Sequence, residues 1–397
     1  MTEPRPARPL RLLGRDFAGF RRAVAAHAAA GPVEVEATWL GLPELQAAVL
    51  GPDAPDADLL VVPADWLPAL AAAGRVRSVA AYVATDPPEG WPDAWSPSFH
   101  EGVTWAGEVH GLPFHDGPQL LFTRPSLLAR AGLDAPRTWS ELVEVAGALH
   151  GPGRAGTVLA GAPDGHNNVY DLVLHLWRCG GDLLDGDRVT VDSAPVREAL
   201  AFLRRVATTL VPAHAHDLDS NGSGEEFAAG GVGVVVNWAG YAALAAAGPV
   251  ADDHACAVAP THDDGTPTTT VNAFWVACVT TACAEPDRAW AHLRHAASAA
   301  MDLATTQAGA SGARRSTWGH PDVLAAQPEH ALFEAAHASS RPLPRIAALP
   351  AVVDVLNELV DAVVWRGEPV DPALGTAQRA VEALVGAPRH DDLEAVR

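Results

Sequence analysis

Leu59-Leu60-Val61-Val62-Pro63, followed at once by Ala64-Asp65-Trp66, is a run of five residues without a polar side chain. A half-solvated strand alternates apolar and polar residues, whereas an unbroken apolar run is covered on both faces, as in the parallel sheets of α/β proteins. Working outward, residues 33–39 read as one strand and 10–13 as another. Helical stretches lie between them at 17–30, closed by Gly31, and at 43–50, and a helix at 66–73 is stopped by Gly74. Strand and helix alternating at these lengths predict a parallel, doubly wound sheet.

Pro87-Pro88, Gly90 and Pro92 break the alternation into a long loop that carries Trp91 and Trp95. A strand-like run resumes at 112–124. Thr138-Trp139-Ser140-Glu141 is a capping box, and the helix it opens carries Leu142, Val145, Ala146 and Leu149 on one face. Ser193-Ala194-Pro195 caps a second long helix with Leu200, Leu203 and Val206 inside. Strands are expected at 230–236 and 271–279, a helix at 287–297, and a helical last quarter at 349–364 and 372–385 before a polar tail, 390–397.

Composition bounds the function. At 397 residues the chain suffices for two domains, and 48% hydrophobic against 19% charged residues marks it as globular. A net charge of −21 argues against nucleic acid or an anionic membrane as partner, since phosphate recognition needs clustered cations. No apolar run reaches the length of a membrane-spanning helix. All basic residues are arginine, which excludes Schiff-base and pyridoxal-phosphate chemistry and the P-loop lysine. No cofactor and no metal is expected. Cys179, Cys256, Cys278 and Cys283 match no zinc or redox spacing and read as buried thiols. The N-terminus, Met1-Thr2-Glu3-Pro4-Arg5, lacks the apolar stretch of a signal peptide, so a cytoplasmic location is expected as the sequence stands, and an extracellular or membrane-associated one if the true start lies upstream.

Several stretches resemble a known family in chain order. His110-Gly111-Leu112-Pro113-Phe114 is similar to a "Gly-x-Pro-aromatic" crossing between lobes. Leu121-Phe122-Thr123-Arg124, Leu127-Leu128 and Ala131-Gly132-Leu133 follow, then Pro136-Arg137-Thr138-Trp139-Ser140-Glu141-Leu142, the strongest match. Cys179-Gly180-Gly181-Asp182-Leu183-Leu184 and the 233–238 segment fit as well. Together they resemble the extracellular solute-binding proteins of ABC transporters, in the branch that binds sugars and maltodextrin-like ligands. The resemblance implies a two-lobed, type II periplasmic-binding α/β fold that closes by hinge motion on a ligand held in the cleft between lobes. It places chain crossings near Phe114, Thr268 and Gly312, so that 1–114 with 268–312 form one lobe and 115–267 with 313–397 the other. It also implies an ABC permease as partner. Gly309-Ala310-Ser311-Gly312-Ala313-Arg314-Arg315 departs from the family pattern, which has a proline there.

A sugar presents apolar ring faces and a rim of hydroxyls, so its site needs aromatic platforms beside planar hydrogen-bonding groups. In open α/β sheets ligands bind at the carboxyl ends of strands. That rule selects Arg15 and Asp16 after the first strand, Trp66 after the apolar strand, Asn237 and Trp238 after the 232–236 run, and Trp275 on the 271–279 run. His115 and Asp116 follow the first crossing, and Arg314 sits near the third. Each has a plainer reading: the indoles as core packing, the charges as solvated surface, and His166-Asn167-Asn168 as a helix cap. Trp139 reads as packing.

Two other classes of function compete with the binding protein. A cytosolic enzyme would reuse the cleft, with His115 and Asp116 as an acid–base pair on a small polar substrate. A cytosolic ligand sensor is the third. His214-x-His216-Asp217 and the His292/His295 pair lack further ligands at a recognisable metal spacing, and Gly222-Ser223-Gly224 reads as a capping loop, not a nucleophile elbow.

Overall fold

The computed structural model describes residues 8–164 and 167–386. His166 and the 390–397 tail lie outside the described residues. The chain divides into two compact units. Unit 1 comprises Met1–Gln119, Trp238–Ala243 and Asn272–Leu343, and unit 2 comprises Leu120–Asn237, Leu244–Val271 and Pro344–Arg397.

Unit 1 is built on a five-stranded sheet in the order Val35–Leu40, Leu10–Arg15, Leu59–Pro63, Trp275–Val279, Leu112–His115. All five residues of Leu59–Pro63 are buried, as a run without polar side chains requires. The first three strands are parallel, with Gly14 opposite both Trp39 and Val61. The sheet is not wholly parallel, however: Trp275–Val279 runs antiparallel to both neighbours. The chain re-enters unit 1 at Asn272, on the edge where the parallel strands end, and can only run back against them. The helix Ala18–Ala30 packs on this sheet through Phe20, Ala23, Val24 and His27, one face of a 3.6-residue period. Its His27 ring lies against the helix Ala299–Gln307, with Nε2 2.9 Å from Thr305 Oγ1.

Unit 2 holds a three-stranded sheet in the order Val234–Trp238, Gln119–Thr123, Ala255–Val258, the last pair antiparallel with Leu121 opposite Ala257. The capping box forms as its residues dictate: the Glu141 N–H donates to Thr138 Oγ1 at 3.2 Å, and Glu141 Oε2 accepts from the Thr138 N–H at 3.3 Å. The apolar face of Trp139–Leu149 (Leu142, Val145, Ala146, Leu149) meets Leu121, Leu174, Val206 and Val234 in the core. Trp139 packs as expected, its Nε1–H donating to Thr268 Oγ1 at 2.9 Å. Ser193 takes the N-cap position of Ala194–Thr209, but its hydroxyl makes no capping bond. The long helix expected over 349–364 is α-helical only over Leu349–Val360 and continues as a π-helical turn, Asp361–Trp365.

The units divide at 119/120, 271/272 and 343/344, where the sequence reading put crossings near 114, 268 and 312. Residues 313–343 therefore belong to unit 1, and four bonds explain why. The buried Asp302 carboxylate accepts the N–H groups of Ala313 (2.8 Å) and Arg314 (3.1 Å). Trp318 Nε1–H donates to the Gly312 carbonyl at 2.9 Å. His337 stacks flat on Trp318 at 4.9 Å and bonds Asp116. Gly312 is fixed by this closure, because a Cβ there would stand 2.4 Å from the Asp302 carboxylate. Two of the four cysteines differ from the expectation: Cys278 and Cys283 are buried, but Cys179 and Cys256 are half-buried. No described helix is long and apolar enough to cross a membrane.

Candidate functional site

The topology of unit 1 brings several predicted residues to one edge of the sheet. Leu112–His115 and Leu59–Pro63 both run antiparallel to Trp275–Val279, so their carboxyl ends lie together, with Trp275 opposite Pro63 on one side and His115 on the other. Arg15 ends the neighbouring parallel strand. This is the edge at which open α/β sheets hold ligands. Arg15, His115 and Trp275 are each half-buried there. The Arg15 guanidinium lies 5.8 Å from the Trp275 ring, and Phe20 presses edge-on against both His115 and Trp275, at 5.0 Å each. Phe17, which the sequence reading did not single out, flanks His115 at 6.2 Å. Its signal was its place, two residues past the end of a parallel strand.

His115 is held in one orientation. Its Nδ1 lies 2.9 Å from the Ser311 carbonyl, an acceptor only, so Nδ1 carries the proton. Burial pushes the ring's pKa down to about 4, keeping the imidazole neutral despite the adjacent Asp116. Trp238 is half-buried and leads into the turn Ala239–Tyr241, whose first N–H, that of Ala239, donates to the Pro118 carbonyl at 2.8 Å. The 238–243 segment is thereby fastened beside the loop that follows His115.

Other predicted residues do different work. Asp16 is exposed and accepts a two-pronged bond from Arg21, at 2.7 and 2.5 Å, which holds its carboxyl below the usual range. Asp116 is only 1% exposed and receives His337 Nε2 at 2.8 Å. Burial alone would lower the His337 pKa, but the charge and bond of Asp116 raise it. The proposed acid–base couple of His115 with Asp116 is therefore not formed: each ring or carboxylate is committed to a different partner. Arg314 is 4% exposed and bonds the carbonyls of Ala297 (2.8 Å) and Glu89 (2.9 Å) while lying over Trp95 at 4.5 Å. It is a core cation, not a ligand contact. Trp66 is enclosed, at 2% exposure, because the single turn after Leu59–Pro63 folds its ring inward.

In unit 2, Asn237 is buried and donates from Nδ2 to Ser223 Oγ at 3.1 Å. Gly222-Ser223-Gly224 lies inside the helix Ser220–Ala228, not in a loop before it; Asp219 caps that helix by accepting the Gly222 N–H. Of the His166-Asn167-Asn168 run, the described Asn168 side chain is 3% exposed, and both ends of its amide lack a hydrogen-bond partner among the described residues. One turn further along the same helix, Asp171 has its pKa pushed up to about 7, first by burial and then by the nearby Asp164. A buried amide with unused donors and acceptors beside a half-neutralised carboxyl is the strongest polar feature of this unit. Asp171 was missed because nothing local in the sequence announces its burial. The remaining histidines of interest pair separately, His214 with Glu226 at 2.6 Å and His216 with Asp361 at 2.7 Å. Among the described residues no three His, Cys, Asp or Glu side chains converge as a metal site.

Comparison with known proteins accounts for this architecture. The model of the bacterial extracellular solute-binding protein family matches residues 14–302. Among solved structures, maltose-bound MalE3 of T. maritima superposes with a TM-score of 0.84 at 22% identity, covering 95% of this chain and 99% of that one. An ABC-transporter solute-binding protein of Agrobacterium radiobacter K84, in complex with ribitol, gives 0.84 at 23% identity over 95% and 98% of the two chains. One from Agrobacterium vitis S4, with bound D-mannitol, gives 0.82 at 19% identity over 95% and 98%. The two-lobed periplasmic-binding fold expected from the sequence is thus the fold observed, and the chain belongs to the bacterial extracellular solute-binding protein family.

Proposed function

We propose that this protein binds a neutral sugar or polyol and hands it to an ABC permease, which would place its work at the outer face of the cell membrane. The observation that carries the reading is the half-buried Arg15–Trp275–His115 patch at the strand ends of unit 1. It combines an indole platform with a guanidinium donor and a neutral imidazole, which suits a ring or chain of hydroxyls better than a charged group. Trp238, in the same unit, offers a second half-buried indole. The proteins of similar fold carry maltose, ribitol and D-mannitol, all neutral and hydroxyl-rich.

The test is a thermal-shift and calorimetric titration with maltose, ribitol and D-mannitol, followed by mass analysis of the recovered molecule. A ligand present at a hundredfold excess over its dissociation constant should stabilise the fold by about 2.7 kcal/mol and return unaltered. Trp275→Ala should weaken binding by about 1–3 kcal/mol, the cost of losing a large apolar contact surface, while leaving the unliganded fold intact. Recovery of a chemically changed molecule would overturn the binding reading in favour of an enzyme. Equal affinity of wild type and Trp275→Ala would remove the strand-end patch from the site.

A further inference from the structure

We infer that His115 Nε2 and the Gly240 N–H, converging on the bare Cα of Gly117, form a subsite that reads a single ligand hydroxyl. All three residues belong to unit 1. The inference rests on the sugar-or-polyol reading and specifies how one of its hydroxyls is recognised.

Its first support is the space at Gly117. Among the described residues a Cβ built there meets two atoms within 4 Å beyond its chain neighbours: the Gly240 nitrogen at 3.7 Å and His115 Nε2 at 3.9 Å. Gly117 has no positive φ, so its backbone does not demand glycine; what the missing side chain leaves is room. Its second support is the polarity of the two groups. Ser311's carbonyl accepts both the Asp116 N–H at 3.0 Å and His115 Nδ1–H at 2.9 Å. With its proton fixed on Nδ1, a neutral imidazole presents Nε2 as a lone pair, and Nε2 makes no bond among the described residues. Gly240 is the second residue of the turn Ala239–Tyr241, and the opening N–H groups of a helical turn have no partner within it. The Ala239 N–H is taken by Pro118, whereas the Gly240 N–H makes no backbone bond outside the turn among the described residues.

One acceptor and one donor beside the same small space match a hydroxyl, which donates to Nε2 and accepts from the amide. A carboxylate or phosphate oxygen would satisfy the amide but meet the imidazole lone pair, and an ammonium would satisfy the imidazole but meet the N–H. The neutral state of the ring, favoured by its burial, holds this preference through the physiological range.

Two variants and one spectroscopic measurement test the subsite. Gly117→Ala places a methyl at ordinary contact distance from both groups, so the fold should be kept while the hydroxyl is displaced. His115→Asn keeps a donor for Ser311 but removes the acceptor. Whichever of maltose, ribitol or D-mannitol the wild type binds should bind each variant about tenfold more weakly, the scale of one lost hydrogen bond, with unliganded melting temperature unchanged. Nitrogen-15 spectra of the imidazole should show the Nδ1–H tautomer from pH 8 to 5 without ligand and a shift confined to Nε2 on binding. An Nε2–H tautomer, or full affinity in Gly117→Ala, would overturn the subsite while leaving the wider reading in place. Failure of all three compounds to bind the wild type would overturn both.

Discussion

Replacing Asp302 by alanine should lower the stability of unit 1 by about 3–5 kcal/mol, since a buried donor that loses its acceptor costs roughly 1–3 kcal/mol and three lose theirs at once. The carboxylate is 4% exposed and receives the Ala313 and Arg314 N–H groups, with the Thr317 hydroxyl also bonded to it. Burial raises its pKa, and these bonds and the Arg314 charge pull it back down. Removal also takes away the negative charge that most favours the buried Arg314 guanidinium, an additional penalty. Urea denaturation of the wild type, Asp302→Ala and the double variant Asp302→Ala/Arg314→Met measures the effect. The double variant should recover part of the loss, because the stranded cation is gone. An unchanged midpoint in Asp302→Ala would mean that the 308–318 loop is held by Trp318 and its neighbours without the carboxylate.

That loop also marks the boundary of what a sequence can disclose. The Leu59–Pro63 strand was legible because its apolar run admits only a covered position, and Thr138–Glu141 because both halves of a capping box lie three residues apart. The placement of Arg15, His115 and Trp275 was legible for a topological reason: strand ends in an α/β sheet gather on one edge, whatever the side chains. Asp116 and Arg314 were misread because their roles depend on partners far away in the chain. His337 lies 221 residues from Asp116, and Arg314 reaches a carbonyl at Glu89, 225 residues away. A charge beside a predicted site looks the same whether it is free for a ligand or already spent on the fold. The same limit placed the third crossing near Gly312 instead of 343/344, since the bonds to Asp302, Gly312 and Asp116 that help hold 313–343 in unit 1 leave no mark in the sequence. Asp171 escaped notice for the converse reason, its pKa being set by burial and Asp164 and not by any adjacent residue.

Acid should destabilise unit 1 well before its carboxylates titrate, because His27 and His292, like His115, are buried in the neutral form. His27 and His292 are 1% and 3% exposed, and burial is the first cause that pushes each down to about 4. Met301's carbonyl partly supports the charged form of His27, while the nearby His295 disfavours protonation of His27, and His27 and His295 disfavour that of His292. In the unfolded chain a histidine titrates near 6.5. Between that value and about 4 the unfolded state binds protons that the folded state does not, so stability falls as pH falls through this window. Each histidine contributes up to about 1.4 kcal/mol per pH unit, so at pH 5 the two together remove about 4 kcal/mol at most. His337 acts with the opposite sign. Its folded pKa is raised by Asp116, so the pair contributes fully below the unfolded value and is lost as pH rises through the folded one. Unit 1 should therefore be most stable in a band near neutrality. Denaturation from pH 7.5 to 4.5 should show the acid limb, and the variant His27→Gln/His292→Leu should flatten it, even if less stable at pH 7. An acid limb as steep as that of the wild type would assign the loss to other groups.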